Sequence, residues 1–453
     1  MKITVIGGAG VRTPLLIHGL AEVCDQLCID EVAFWDTDSE RLRAMGRVTT
    51  AMSRRSGFCA KLNICTSPEQ AIADADYVLT SVRAGGIEAR AKDETIALAH
   101  GLVGQETVGA GGFACAMRNL SVMLEYAHLI ERVARHATVV NFTNPVGIIS
   151  QGLLNHSTVR VVGVCDTPLE TFESIATALG RNPFELQFDY LGLNHLGWIR
   201  GVRDPNGTEL LPQILTSVEL IQKCYRRALF PSEFIQQLGL LPTEYLYFYY
   251  FPNLAYQNTK RSGQSRGQAI EGMNSDLFQK LSQAPESRLL DIYEHYLYER
   301  NESYFSIEAT AGDARKEGQA LYSQFSGYER IAALLLQALH SDSTRTIPLT
   351  VRNHYALEDL DANDAVELPC EVSSAGIKPR RVGRAPEVVR ALLLQVKEYE
   401  RLTVRACVDQ SSEAALSALL KNPLVGERDV ARGVLSDYVE AFGDQMHLAS
   451  PPS

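Results

Sequence analysis

A thiol, an imidazole and a cluster of phenols are the residue types here with the widest chemical range. Cys165 ends an apolar run in Gly163-Val164-Cys165-Asp166-Thr167-Pro168. A cysteine there is either an inert core residue or a soft metal ligand. His195, in Leu193-Asn194-His195-Leu196-Gly197-Trp198, follows another apolar run. It is either a structural hydrogen-bond partner or an imidazole ligand. A thiolate and an imidazole together suit one divalent cation, although their separation in sequence does not bring them together. Tyr245, Tyr247, Tyr249 and Tyr250 cluster after Leu241-Pro242. Such phenols mostly pack, but one becomes a base if a metal or an arginine depresses its ordinary pKa of about 10.

Anion recognition has its own candidates. Arg83 and Arg90 sit in the loop Val82-Arg83-Ala84-Gly85-Gly86-Ile87-Glu88-Ala89-Arg90, after a strand. Guanidinium forks match phosphate oxygens, and solvated loop arginines are the alternative. Lys260-Arg261-Ser262-Gly263-Gln264-Ser265-Arg266 is a basic run in an acidic chain, either a phosphate pocket or a surface charge run. Asn144, in Asn141-Phe142-Thr143-Asn144-Pro145, either orients a sugar hydroxyl or marks an Asn-Pro turn.

These residues need strands that end at one edge. Lys2-Ile3-Thr4-Val5-Ile6 reads as a buried strand running into Gly7-Gly8-Ala9-Gly10, with a helix at about 14–23. Gly7, Gly8 and Gly10 lie where a dinucleotide fold brings backbone close to pyrophosphate at a helix N-terminus. Asp36 ends a second strand, 31–36, placed to accept hydrogen bonds from a ribose, which favours NAD over NADP. Thr13 departs from the G-x-G-x-x-G pattern, and Arg12 at the turn either meets a phosphate or faces solvent. Further strands fall at 61–65, 77–82, 138–142 and 159–164, with a helix at 115–136. Strands alternating with helices predict an α/β fold with a Rossmann-type, doubly wound parallel sheet.

From about residue 170 the pattern changes. Strands are expected at 188–193, 197–202, 347–351 and 366–372, and helices at 217–228, 267–281 and through 387–442. Two domains follow: 1–170, binding NAD, and 171–453, a mixed α+β domain for catalysis, substrate and oligomerisation.

Composition narrows the partners. Of 453 residues, 45% are hydrophobic and 21% charged, which argues against global disorder. With 43 basic against 54 acidic residues the net charge is −11, which disfavours nucleic acid and anionic membrane surfaces. No apolar run reaches the ~18 residues of a membrane span, and no signal peptide is recognised. Nine cysteines without a Cys-x-x-Cys pair predict no disulfide framework and a reducing, cytoplasmic compartment.

The ordered set of motifs resembles glycoside hydrolase family 4, the NAD- and metal-dependent glycosidases. It comprises the glycine turn with Thr13-Pro14, Gly104-Gln105-Glu106-Thr107-Val108-Gly109-Ala110-Gly111-Gly112, and Asn141 to Pro145. Gly163 to Pro168, Gly192-Leu193-Asn194-His195, Leu241-Pro242 through Tyr245-Leu246, and Val366-Glu367-Leu368-Pro369-Cys370 complete it. The set spans nearly the whole chain and is most similar to the 6-phospho-β-glucosidase branch. The resemblance implies a route outside two-carboxylate glycosidase chemistry: transient oxidation at sugar carbon 3 by NAD⁺, proton removal from carbon 2, elimination of the aglycone and addition of water. It implies Cys165 and His195 as ligands of Mn²⁺ or another divalent metal, Tyr245 as base and Asp166 as acid. It also implies Asn144, Arg90 and Arg266 on a phosphorylated sugar, in a homodimer or homotetramer; Arg83, at a strand end, is expected on the cofactor side. Asp166 stands where 6-phospho-β-glucosidases usually carry Asn and resembles the α-specific relatives; Val11-Arg12-Thr13 replaces the usual Ser-aromatic-Thr. Alternatives are a 6-phospho-α-glucosidase or unphosphorylated-glycoside hydrolase of the same family, an NAD-dependent hydroxy-acid dehydrogenase, and an NAD-binding sensor without a metal site.

Overall fold

Six short apolar strands build the first half of the sheet: β1 (Lys2–Ile6), β2 (Glu31–Trp35), β3 (Lys61–Ile64), β4 (Tyr77–Thr80), β5 (Thr138–Asn141) and β6 (Arg160–Gly163). In the computed structural model, which describes residues 1–309 and 327–448, they pair in parallel in the order β3-β2-β1-β4-β5-β6. Val78, Leu79, Val139 and Val140 are all buried, so β4 and β5 read as near-continuous apolar runs. That is the signature of parallel strands covered by helices on both faces. Helix Ser39–Ser56 follows β2; Asp38 caps it by accepting from the Arg41 N–H at 2.9 Å, and Gly57 ends it at φ 66°.

The sheet does not stop at residue 170. β7 (Gln187–Leu193), β8 (Leu196–Arg203), β9 (Leu241–Pro242), β10 (Arg345–Arg352), β11 (Ala365–Ser373) and β12 (Gly376–Pro379) extend it. The order continues β6-β10-β11-β7-β8-β9, all antiparallel, with β12 on β11. The expected doubly wound sheet and mixed second half are both present. The tail forms three helices, Glu387–Val408, Ser412–Lys421 and Arg428–Phe442.

Two expectations are corrected. The helix expected at 217–228 spans only Val218–Lys223. Beyond it the Tyr225 hydroxyl donates to the Pro242 carbonyl at 3.0 Å, which draws the chain onto β9. Two of the nine cysteines, expected to be reduced, form a disulfide, Cys24–Cys59. The turn after helix Ser39–Ser56 returns Cys59 to the helix Cys24–Leu27, with Cα atoms 6.6 Å apart, within bridging range. Folding creates that apposition, and the 35-residue separation does not announce it. Cys165 remains a free, buried thiol.

Candidate active site

The parallel strands release their chains at one edge. Gly7 follows β1, Asp36 follows β2, Ser81 follows β4, Asn144 lies beyond β5, and Cys165-Asp166 follow β6. The carboxyl edge of a doubly wound sheet is where its ligands bind. Here it opens into a cavity of about 730 Å³. Gly7, Gly10, Asp36, Arg83, Arg90, Asn144, Asp166, Tyr245 and Arg266 all line it.

At the dinucleotide end, Gly7 has φ 90°, and a Cβ there would lie 2.2 Å from the Ser81 carbonyl oxygen. Only glycine lets β1 turn against β4 this closely. Asp36 accepts from the Ala9 N–H at 3.0 Å and from the Asp38 N–H at 3.0 Å, so it braces the glycine turn while facing the cavity. Burial raises its carboxyl above the ordinary value, against those backbone donors. Gly8, expected to touch the cofactor, does not line the cavity; a Cβ there would press on Phe34 and Leu42. It serves helix–sheet packing instead. Arg12 meets the Asp166 carboxylate at 3.5 Å. Asn119 ties two strand-end loops together, accepting from the Ala84 N–H at 2.8 Å and donating to the Asn144 carbonyl at 2.7 Å.

His195 meets Tyr245, and Cys165 lies near enough to raise the Tyr245 phenol, but neither Cys165 nor His195 lines the cavity. β7 and β8 form a tight hairpin, Leu193 opposite Leu196, leaving Asn194 and His195 as its loop. His195 adopts φ 62°, a strained conformation for a non-glycine residue. β9 pairs with β8, the Thr243 N–H donates to the Gly197 carbonyl at 2.9 Å, and Tyr245 follows. The His195 and Tyr245 rings therefore stack, 3.7 Å between centroids and 2° from parallel. Burial pushes the imidazole down to about 3, so it is neutral. Burial, with Glu367 and Asp166, holds the Cys165 thiol well above its usual range. Burial, with Cys165, Glu106 and Asp166, likewise raises the Tyr245 phenol, against a hydrogen bond from Tyr304.

A buried thiol and phenol, each costly to ionise, and a neutral imidazole are a donor set that a divalent cation would satisfy. Among the described residues no group of three or more His, Cys, Asp or Glu side chains is arranged to hold a metal. Cys165 and His195 would supply two donors and leave further positions open. The Asn144 Oδ1 is buried without a hydrogen-bond partner, as expected of an acceptor awaiting a ligand.

At the far end four arginines, Arg83, Arg90, Arg266 and Arg300, line the cavity with Glu94, Glu106 and Glu308 among them. Arg90, 6% exposed, donates to Glu94 at 2.8 Å and pairs with Glu106 at 2.6 Å; Glu106 also pairs with Arg83. Those arginines overcome burial and hold the Glu106 carboxyl down to about 2. Ser265 and Gln268 form a reciprocal capping box at the start of helix Arg266–Gln283, which presents Arg266 beneath Tyr304, 5.2 Å from its ring centroid. Burial and the neighbouring Arg90 and Arg300 push the Arg266 guanidinium down to about 10. Of the basic run only Arg266 lines the cavity; Lys260 and Arg261 are exposed. Of the tyrosine cluster only Tyr245 does; Tyr250 accepts from the Trp198 indole at 2.9 Å.

Sequence reasoning missed Glu106, Thr107, Glu170 and Arg300. Glu106 and Thr107 sit inside a quoted motif without a role, while Glu170 and Arg300 carry no local signal. Glu170 lies one helical turn beyond Asp166, and burial with Asp166 and Glu244 raises it to about 8.

Known families match both halves of the chain. The model of the family 4 glycosyl hydrolases matches residues 2–181, and that of the family 4 C-terminal domain matches residues 190–425. The chain belongs to glycosyl hydrolase family 4. Within family 4 it is 29% identical over 449 residues to the probable 6-phospho-β-glucosidase of Bacillus subtilis, covering 97% of this chain and 96% of that protein. It is 29% identical over 449 residues to the 6-phospho-β-glucosidase BglT of Thermotoga maritima, covering 99% and 100%. A structure of the T. maritima 6-phospho-β-glucosidase with manganese, NAD⁺ and glucose-6-phosphate superposes with a TM-score of 0.82 at 28% identity, over 99% of each chain. A 6-phospho-α-glucosidase structure from gut microorganisms, with NAD and glucose-6-phosphate, gives 0.78 at 25% identity over 97% of each chain.

Proposed function

We propose that this chain hydrolyses 6-phospho-glucosides, β-linked ones foremost, with NAD⁺ and Mn²⁺ bound. The observation that carries the substrate class is the group of Arg90, Arg266 and Arg300 at one end of the cavity. Burial, with Arg90 and Arg300 nearby, already lowers Arg266, and a sugar phosphate would offset that cost. When bound, NAD⁺ supplies a hydride acceptor for sugar carbon 3 and the divalent cation supplies Lewis acidity beside carbon 2.

The chain's residues do the rest. Arg90 and Arg266 hold the 6-phosphate, and the unpaired Asn144 Oδ1 accepts from a sugar hydroxyl. Tyr245 takes the carbon 2 proton, acidified by the neighbouring ketone; the charge of a bound cation would offset the burial that raises its phenol and free it to act as a base. The released electron pair forms the carbon 1–carbon 2 double bond as the carbon 1–oxygen bond breaks, and Asp166 gives a proton to the departing oxygen; water then adds to carbon 1, carbon 2 regains a proton from Tyr245, and the hydride returns to carbon 3, so no net NADH forms. Arg12 pairs with the Asp166 carboxylate at 3.5 Å and positions it, so the proton Asp166 passes on is one it first takes up from water. Cys165 and His195 hold the metal, and Gly7, Gly10, Asp36 and Arg83 the cofactor. Residues 1–170 then form the cofactor-binding domain and 171–453 the substrate and oligomerisation domain of a cytoplasmic homodimer or homotetramer. No helix among the described residues is long and apolar enough to cross a membrane.

The test is a panel of α- and β-linked p-nitrophenyl glucosides, with and without the 6-phosphate, given NAD⁺ and Mn²⁺ under reducing conditions. Release of p-nitrophenol from the 6-phospho-β substrate with no net NADH is expected. Stoichiometric NADH would mean a dehydrogenase. Faster release from the 6-phospho-α substrate would select the second reading, which the acid Asp166 beside Cys165 favours.

A further inference from the structure

The segment Gln105-Glu106-Thr107 contains a hydrogen-bond relay whose direction the backbone dictates. Gln105 Oε1 accepts the N–H groups of Thr107 and, at 3.0 Å, of Val108. An NH₂ group there would face two donors, so the amide orientation is determined by its partners. The same oxygen lies 3.0 Å from the Thr107 hydroxyl. A carbonyl oxygen has no proton to give, so the hydroxyl donates to it. A hydroxyl carries one proton. With that proton committed to Gln105, Thr107 Oγ1 meets His195 Nδ1, 2.9 Å away, as an acceptor. That direction assigns the ring proton to Nδ1 and leaves the Nε2 lone pair for a ligand. The opposite tautomer would set a nitrogen lone pair against an oxygen lone pair.

The ring has little freedom to escape this arrangement. It lies flat on Tyr245, and the neighbouring Asn194 amide donates to the buried Glu367 carboxylate at 3.3 Å. The intervening Glu106 pairs with Arg83 and Arg90, so three consecutive residues link the His195 ring to the arginines of the cavity.

We propose that Thr107 is a positioning residue for the metal ligand: with Gln105 it locks His195 in the tautomer that offers Nε2 to a divalent cation. This rests on the metal reading of Cys165 and His195. A histidine ligand whose other nitrogen is held by a fixed acceptor binds metal more tightly than one left to choose its tautomer.

The test is direct Mn²⁺ binding to the NAD⁺-loaded protein without substrate, with free Mn²⁺ read by electron paramagnetic resonance. Thr107→Val, which keeps the shape and removes the oxygen, should weaken Mn²⁺ binding by about 10–100-fold, and Thr107→Ser should restore it to within about threefold of wild type. NAD⁺ affinity, measured by fluorescence, should be the same in all three. Wild-type affinity in Thr107→Val overturns the proposal. So does an equal loss in Thr107→Ser, which would mean packing rather than the hydroxyl. If Thr107→Val also loses NAD⁺, Thr107→Ala takes its place with the same two outcomes. Failure of the wild-type protein to bind Mn²⁺ would instead sink the metal reading, and this inference with it.

Discussion

Glu106→Gln isolates the electrostatics of the arginine end. The glutamine keeps the shape and removes the one carboxylate shared by Arg83 and Arg90. Glu106 is 9% exposed on its side chain, so solvent screens these pairs little. Its pKa falls from 4.5 to about 2 on folding. At ~1.4 kcal/mol per pKa unit, that is about 3 kcal/mol of stability at neutral pH. The usual cost of leaving a buried ion pair half-broken, ~3–5 kcal/mol, is similar. The lower end fits, because Arg90 keeps Glu94 and Arg83 is about a third exposed.

The sign follows from the direction of the shift. A carboxyl held lower in the folded state stabilises above its unfolded pKa, and that stability disappears as pH falls through the folded value. The gap between wild type and Glu106→Gln should be widest at neutral pH, narrow below about 4.5 and close towards about 2. Chemical denaturation of both proteins across that range measures it. A gap below ~1 kcal/mol at neutral pH, or one that stays constant on acidification, would refute the reasoning.

Three further outcomes test the site. Cys165→Ser should reduce turnover strongly, since a hydroxyl replaces a thiolate poorly as a ligand; full turnover at saturating Mn²⁺ would remove Cys165 from the metal. Tyr245→Phe should slow turnover while NAD⁺ still binds, and exchange of the carbon 2 proton with solvent, followed by deuterium incorporation, should slow with it. Arg266→Met should raise KM for the 6-phospho substrate by roughly 10–100-fold, the worth of one charged hydrogen bond of ~1.5–3 kcal/mol, and leave NAD⁺ affinity unchanged; an unchanged KM would detach Arg266 from the phosphate.

Local sequence announces elements whose cause is local. Apolar runs broken by Gly, Pro and capping residues mark β1, β2 and β4 to β6, and the glycines after β1 mark the turn, because only glycine tolerates the close approach at Gly7. Asp36, Asn144 and Cys165 are legible for the same reason: each ends a recognisable parallel strand, and such ends share one edge. Gly8 looks like part of the cofactor turn but packs on Phe34 and Leu42, a distinction that spacing alone does not carry.

Everything that depends on pairing across long loops waits for the tertiary structure. The stack of His195 on Tyr245 exists because β9 pairs with β8. Arg300 reaches Arg266 only through the packing of helix Leu289–Glu302 against helix Arg266–Gln283. The Cys24–Cys59 bond and the junction of β6 with β10 likewise join residues far apart in the chain. Sequence alone determined which residues could ionise, ligate or turn, since those properties belong to single side chains and short backbone segments. Tertiary structure decided which of them meet and in what protonation state, because desolvation and partner charges are set by neighbours brought from elsewhere in the chain.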